Sequence, residues 1–185
     1  MNLERNRIIT YIIISLTFFI HSASAEDLKA SDILKDYRAL LKKLPWEVKS
    51  KDYKAAKGLI KGAKGLQKEA SKENKATLRY VRASTNLALS CANLRKGGKL
   101  ASRAAELYLA ASLKDLTILA STYVRDKKAY GPTWKDTLKD VAIITAVYNK
   151  ELVQAGGKIK ALYQAIQKLL KDPESAEAEK EIEKK

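Results

Sequence analysis

Apolar side chains recur at spacings of three and four through nearly all of the chain after residue 25, and no alternating run competes with them. That period predicts helices throughout. In a first segment Ile33, Leu34, Tyr37, Leu40, Leu41 and Leu44 fall on one side, and Pro45 ends it. A first long helix is expected from about Lys51 to Ala70, with Ser71-Lys72-Glu73-Asn74 breaking or kinking it. A second follows to Arg95 with Leu78, Val81, Leu87, Cys91 and Leu94 inward, and Gly97-Gly98 stops it. The third, about Leu100 to Tyr123, is apolar over most of its circumference; Arg103, Glu106, Lys114 and Thr117 group on its narrow polar side. It is expected to be the most buried helix.

Gly131-Pro132 precedes Thr133-Trp134-Lys135-Asp136, a cap followed three residues later by an acid, which signals the start of a fourth helix. Trp134, Leu138, Val141, Thr145, Tyr148 and Leu152 lie on its inner stripe. Ile143 and Val147 point almost the opposite way and need a cover, which is either an external partner or a fifth helix from about Gly157 to Leu170. The elements predict an all-α fold, an up-down-up-down four-helix bundle over residues 51–155. An N-terminal segment, 26–50, precedes it, and an additional helix, 156–171, follows. Residues 172–185 carry one aliphatic side chain, Ile182, among many charges and read as a solvated tail or a frayed helix.

Residues 1–25 have a different pattern: Arg5 and Arg7, an apolar run from Ile8 to Ile20, and the small residues Ala23-Ser24-Ala25. This reads as a signal peptide. The run is 13 residues long, short of the roughly 20 that a membrane-spanning helix requires. The expectation is an exported protein, peripheral to a membrane at most and not spanning it, that is a monomer before it docks.

The single His and the single Met lie in that leader, and the one Cys, Cys91, sits in an apolar run. Without His, the usual Zn, haem and blue-copper ligand sets cannot be assembled, nor can Ser-His-Asp or Cys-His catalytic units. No Gly-rich phosphate loop or HExxH pattern occurs. The sequence therefore points to no enzyme, no metal and no cofactor, and Cys91 reads as a small buried hydrophobe.

Charge changes the picture more. The chain carries a net +15, and with the acidic tail set aside residues 26–171 hold 31 basic and 14 acidic side chains. A surface of opposite charge is steered toward such a body. Lys54, Lys57, Lys61, Lys64 and Lys68 alternate spacings of three and four, so they form one narrow ridge opposite Ala56, Leu59, Ile60, Ala63 and Leu66. Neighbouring like charges on a helix repel by ~0.2–0.5 kcal/mol per pair, which favours a docking role for the ridge. Gly58, Gly62 and Gly65 lie beside it, where either a flat surface or another backbone comes close or the helix bends to wrap the bundle. Arg79, Arg82, Arg95, Lys96, Lys99 and Arg103 are expected as a second basic group around Gly97-Gly98. Nucleic acid is not the expected partner, because no recognition motif accompanies the charge.

Four segments resemble the PsbQ family, the Q-type extrinsic subunit of photosystem II. Residues 51–62, Lys51 through Gly62, look like that family's first helix with its Gly-containing stretch, with Tyr53 or Trp46 in the aromatic role. Leu78-Arg79-Tyr80-Val81-Arg82-Ala83-Ser84 is similar to the second. Ala105-Glu106-Leu107-Tyr108 with Leu113-Lys114-Asp115-Leu116 resembles the third, and Trp134-Lys135-Asp136-Thr137-Leu138-Lys139-Asp140-Val141 the fourth. The resemblance spans Trp46 to Tyr148. It implies a lumenal bundle that docks on the photosystem II core and other extrinsic subunits, helps retain calcium and chloride for oxygen evolution, and binds none of these ions itself. In that role the ridge, Arg79 and Arg82 steer, and Ile143 and Val147 are buried against neighbouring subunits. The residues alone leave two other readings open: a periplasmic or secreted bundle that binds an anionic surface, glycan or lipid headgroup, and a helical subunit of another exported assembly.

Overall fold

The computed structural model describes residues 25–175, which form seven helices and, among the described residues, no strand. The protein is all-α. The leader, apart from Ala25, and the tail beyond Ser175 lie outside the described residues.

Helix α1, Ala25–Leu41, covers most of the predicted N-terminal segment. Its buried Tyr37 and Leu40 belong to the main core, so this segment is an integral layer. The chain leaves it through Pro45 to Trp46, which is fully enclosed: its indole Nε1–H donates to Leu40 O at 3.0 Å, and its backbone N–H donates to the Tyr148 hydroxyl at 2.7 Å. One aromatic residue thereby fastens the first turn of the fold to its far end.

Helix α2, Lys51–Leu66, begins where the Ser50 hydroxyl accepts the Tyr53 N–H at 3.1 Å. It ends before the predicted Ala70, because Ser71 caps a new helix by accepting the N–H of Asn74. That helix, α3, Lys72–Lys96, is the centre of the molecule and packs against α1, α2, α4, Lys99–Arg125, and α5, Lys127–Val147. Gly97 and Gly98, at φ 70° and 86°, occupy left-handed conformations that favour glycine, and their turn folds α4 back along α3.

Three expectations fail here. The most buried helix is α3 and not α4: an unbroken run from Ala83 to Asn93 on α3 is buried, whereas Leu100 and Leu107 on α4 are 86% and 65% exposed. Small side chains explain it, since Ala83, Ser84, Ala88, Ser90 and Ala92 let neighbours approach from several sides. Secondly, α5 starts six residues before Thr133, with the Asp126 carboxylate accepting the Ala129 N–H at 2.9 Å, and runs through Pro132. Packing of Tyr130 and burial of Trp134 hold the helix across the hydrogen bond that the proline cannot make. Its inner stripe is also rotated from the predicted one. Thr137, Asp140 and Ile144 are buried beside Trp134 and Val141, and Leu138 is left at the edge, 37% exposed.

The short α6, Asn149–Gln154, and α7, Gly157–Lys171, complete the chain. Helix α7 packs on α4, and its Ile166 and Leu169 join the same core. Residues 26–50 and 156–171 thus share one core with the helices between them.

Candidate docking surface

The inner face of α2 is short and tight: Tyr53, Ala56, Leu59 and Ala63 are buried against α1 and α3. With that face fixed, the helical period turns Lys54, Lys57, Lys61 and Lys64 outward, and Lys68 follows in the turn beyond α2; all five are exposed. None of the five is in an ion pair with a described residue. The nearby Asp52 carboxylate is occupied instead by Lys43 Nζ at 3.1 Å. From Lys54 to Lys64 the ridge spans about 15 Å at 1.5 Å rise per residue.

The three glycines beside it divide. A Cβ on Gly62 would meet Ile33 Cδ1 at 3.0 Å, so this glycine serves the contact between α2 and α1. Gly58 and Gly65 have open space where a Cβ would sit and leave the flank of the ridge flat.

The second basic group is only partly gathered at the Gly97-Gly98 turn: Arg95, Lys96 and Lys99 flank it, whereas Arg79 and Arg82 lie further up α3. Arg82 lies about 22 Å up the helix from that turn. Its guanidinium pairs with the buried Asp115 carboxylate of α4 at 3.0 Å and donates to Gln67 Oε1. Burial raises the Asp115 carboxyl above the aspartate range, against the opposing charges of Arg82 and Arg79, and desolvation lowers the half-buried Arg79 guanidinium. Arg82 is therefore an internal tie between α3 and α4, and the position it was expected to hold on a docking face is corrected accordingly. Arg95 is likewise engaged: Nε donates to Glu151 at 2.6 Å, and the guanidinium lies 4.7 Å from the Tyr148 ring centroid.

Ile143 and Val147 are 38% and 37% exposed and face away from the core, as the spacing indicated. Helix α7 packs on α4 and α6 and leaves both partly open. Leu107 and Val153, not singled out from the sequence, are more exposed still, at 65% and 71%. Their periodic pattern resembles a core stripe, and hydropathy alone carried no signal to separate them.

One buried polar node also escaped the sequence reading. Asp140, on the inner face of α5, accepts the Tyr37 hydroxyl at 2.9 Å and the Tyr80 hydroxyl, which ties α1 and α3 to α5. The two rings meet edge to face at 5.5 Å. Burial raises both phenols well above the ordinary tyrosine range.

Among the described residues no group of three or more His, Cys, Asp or Glu side chains is placed to hold a metal ion. The Cys91 thiol is enclosed, and desolvation pushes it up to about 12, far from the thiolate that nucleophilic chemistry requires. No helix among them is long and apolar enough to cross a membrane. No family model, curated protein or solved structure matches the chain.

Proposed function

We propose that the protein is a non-catalytic docking module, brought to an acidic protein surface by the lysine ridge of α2. The observation that carries this reading is the ridge itself, four exposed ammonium groups in a row along α2 and that of Lys68 in the turn beyond it, with no carboxylate partner among the described residues. A solvated face gains nothing from such a row, whereas a partner of opposite charge gains on-rate and orientation from it. Ile143 and Val147 offer a separate apolar patch for burial against a neighbouring subunit.

In its specific form the docking surface is the lumenal face of photosystem II, with the protein peripheral to the thylakoid membrane and helping to retain calcium and chloride. The resemblance between Trp46 and Tyr148 supports that form. The test is sedimentation with salt-washed photosystem II membranes at low ionic strength, beside anionic lipid vesicles. Wild type is expected to bind the photosystem membranes, and the triple variant Lys57→Glu, Lys61→Glu, Lys64→Glu to bind at least tenfold more weakly with an unchanged melting curve. Binding to vesicles alone removes the photosystem form. Normal binding by the triple variant removes the ridge.

A further inference from the structure

Helices α1 and α2 run antiparallel. Ile33 of α1 faces Gly62 late in α2, where a Cβ would meet Ile33 Cδ1 at 3.0 Å, and Lys43 just past α1 pairs with Asp52 early in α2 at 3.1 Å. Between these two ties lies an open groove of about 450 Å3. Ile33, Leu40 and Leu59 give it an apolar floor, and the small residues Ala39, Ala55 and Gly58 keep its walls low. Gly58 has open space where a Cβ would sit, so another backbone laid across this lip meets no obstacle there.

The two rims differ in charge. Lys54 and Lys61 stand one turn before and one turn after Gly58, on the flank that leads to the ridge, and Lys51 adds a cation at the start of α2. The α1 rim is mixed: Asp36 lines the groove and Asp32 stands one turn before it, with Lys29 at the far end and Lys35 on the outer side. All of these residues are exposed, and none of Lys51, Lys54, Lys61, Asp32 and Asp36 is in an ion pair with a described residue. An occupant that complements both rims carries carboxylates along its α2 flank and none where it passes Asp36.

The floor favours a helix as that occupant. Ile33 and Leu40 are seven residues apart on α1, about 10 Å, and the same interval separates side chains i and i+7 on one face of a partner helix. In a strand about 10 Å is three residues, and side chains three apart point to opposite faces. We propose that the groove receives an amphipathic helix of the acidic partner, about three turns long. Its apolar stripe lies on Ile33, Leu40 and Leu59, its carboxylates on the flank over Lys54 and Lys61, and a cation beside Asp36. This rests on the docking role of the ridge and names the element that docks.

Two synthetic peptides of about 14 residues, stapled on the outer face to hold them helical, test the groove. One has a Leu stripe at helical spacing, with Glu on one flank and Lys on the other; its control has the same composition with the stripe scrambled. Titrated into the full chain at low salt and followed by fluorescence anisotropy, the striped peptide is expected to bind about tenfold tighter and to shift the methyl NMR signals of Ile33, Leu40 and Leu59. The double variant Ala39→Gln, Ala55→Gln puts two long polar side chains into the groove from exposed positions. It should abolish that preference while leaving the melting curve and the affinity for polyglutamate unchanged. Equal binding of the two peptides, or a preference that survives the groove variant, overturns the proposal and leaves the ridge standing. Polyglutamate judges the ridge separately: Lys57→Glu, Lys61→Glu, Lys64→Glu should weaken it about tenfold, and an unchanged affinity removes the ridge and the assigned acidic flank with it. A concentration-dependent dimer of the chain alone, broken by the groove variant, gives the groove to a second copy and counts against a partner helix.

Discussion

Asp136 and Asp140 are the same residue type one helical turn apart on α5, and replacing each by Ala should have very different consequences. Asp140 is 7% exposed and accepts two tyrosine hydroxyls, from Tyr37 and Tyr80. Its removal strands both hydroxyls in the core, and a buried donor left without an acceptor costs about 1–3 kcal/mol, so Asp140→Ala should lose roughly 2–6 kcal/mol. Asp136 instead pairs with Arg38 at 3.3 Å, with about half of each side chain exposed, and such a pair contributes at most about 1 kcal/mol. Urea unfolding followed by circular dichroism at neutral pH measures both, with equal m-values confirming that the denatured states are comparable. Tyr37→Phe should fall between them, because it deletes one donor and leaves Asp140 with the other. Should Asp136→Ala cost as much as Asp140→Ala, or Asp140→Ala less than about 1 kcal/mol, the node does not hold α1, α3 and α5 together.

Trp134→Ala, which removes a buried ring stacked on Tyr123 at 5.6 Å, should cost about 3–5 kcal/mol, whereas the partly exposed Val147→Ser should cost less than about 1 kcal/mol; urea melts that rank them the other way would reverse the assigned faces of α5. Gly65→Ala should stabilise α2 by about 0.5–1 kcal/mol, and Gly62→Ala should fall short of that gain because its Cβ meets Ile33; identical melting shifts would refute the close approach. The Tyr37, Tyr80 and Tyr148 phenols and the Cys91 thiol are all raised, chiefly by burial. The stability they contribute is fully present below the unfolded values of about 8.5 for the thiol and 10 for the phenols, and is lost as pH rises above them. Helicity should therefore persist through neutral pH and collapse at alkaline pH together with the appearance of tyrosinate absorbance. Tyrosinate forming at these positions near pH 10 with helicity intact would contradict it.

Helical period located the elements because burial follows one side of most of the helices, but α3 is enclosed on all sides from Ala83 to Asn93, and period is blind to what a polar side chain meets. Ser90 and Asn93 made α3 look less buried than it is. In the fold the Ser90 hydroxyl donates to Ala105 O at 2.8 Å, and the Asn93 amide donates to Leu89 O at 2.7 Å and to the Tyr53 hydroxyl at 2.9 Å. A polar group satisfied across a helix interface is compatible with full enclosure, and its partner is distant in sequence. The start of α5 was hidden for a related reason: Pro132 is a strong local stop, and only the packing of Tyr130 and Trp134 overrides it.

The same distinction separates the basic residues whose exposure follows from spacing from those whose pairing does not. Each ridge lysine has no acid three or four positions away on α2, so no neighbour along its own helix could neutralise it, and its exposure follows from the buried face opposite. Arg82 also looked free along its own helix, yet its partner Asp115 stands 33 residues further on, facing it from α4. A stripe of like charges is legible because both its spacing and its isolation are local properties. A single arginine is not, because pairing across two helices depends on how they pack. For that reason the proposed docking rests on Lys54, Lys57, Lys61 and Lys64 of α2 together with Lys68 just beyond it, and Arg82 belongs to the contacts that hold the bundle in shape.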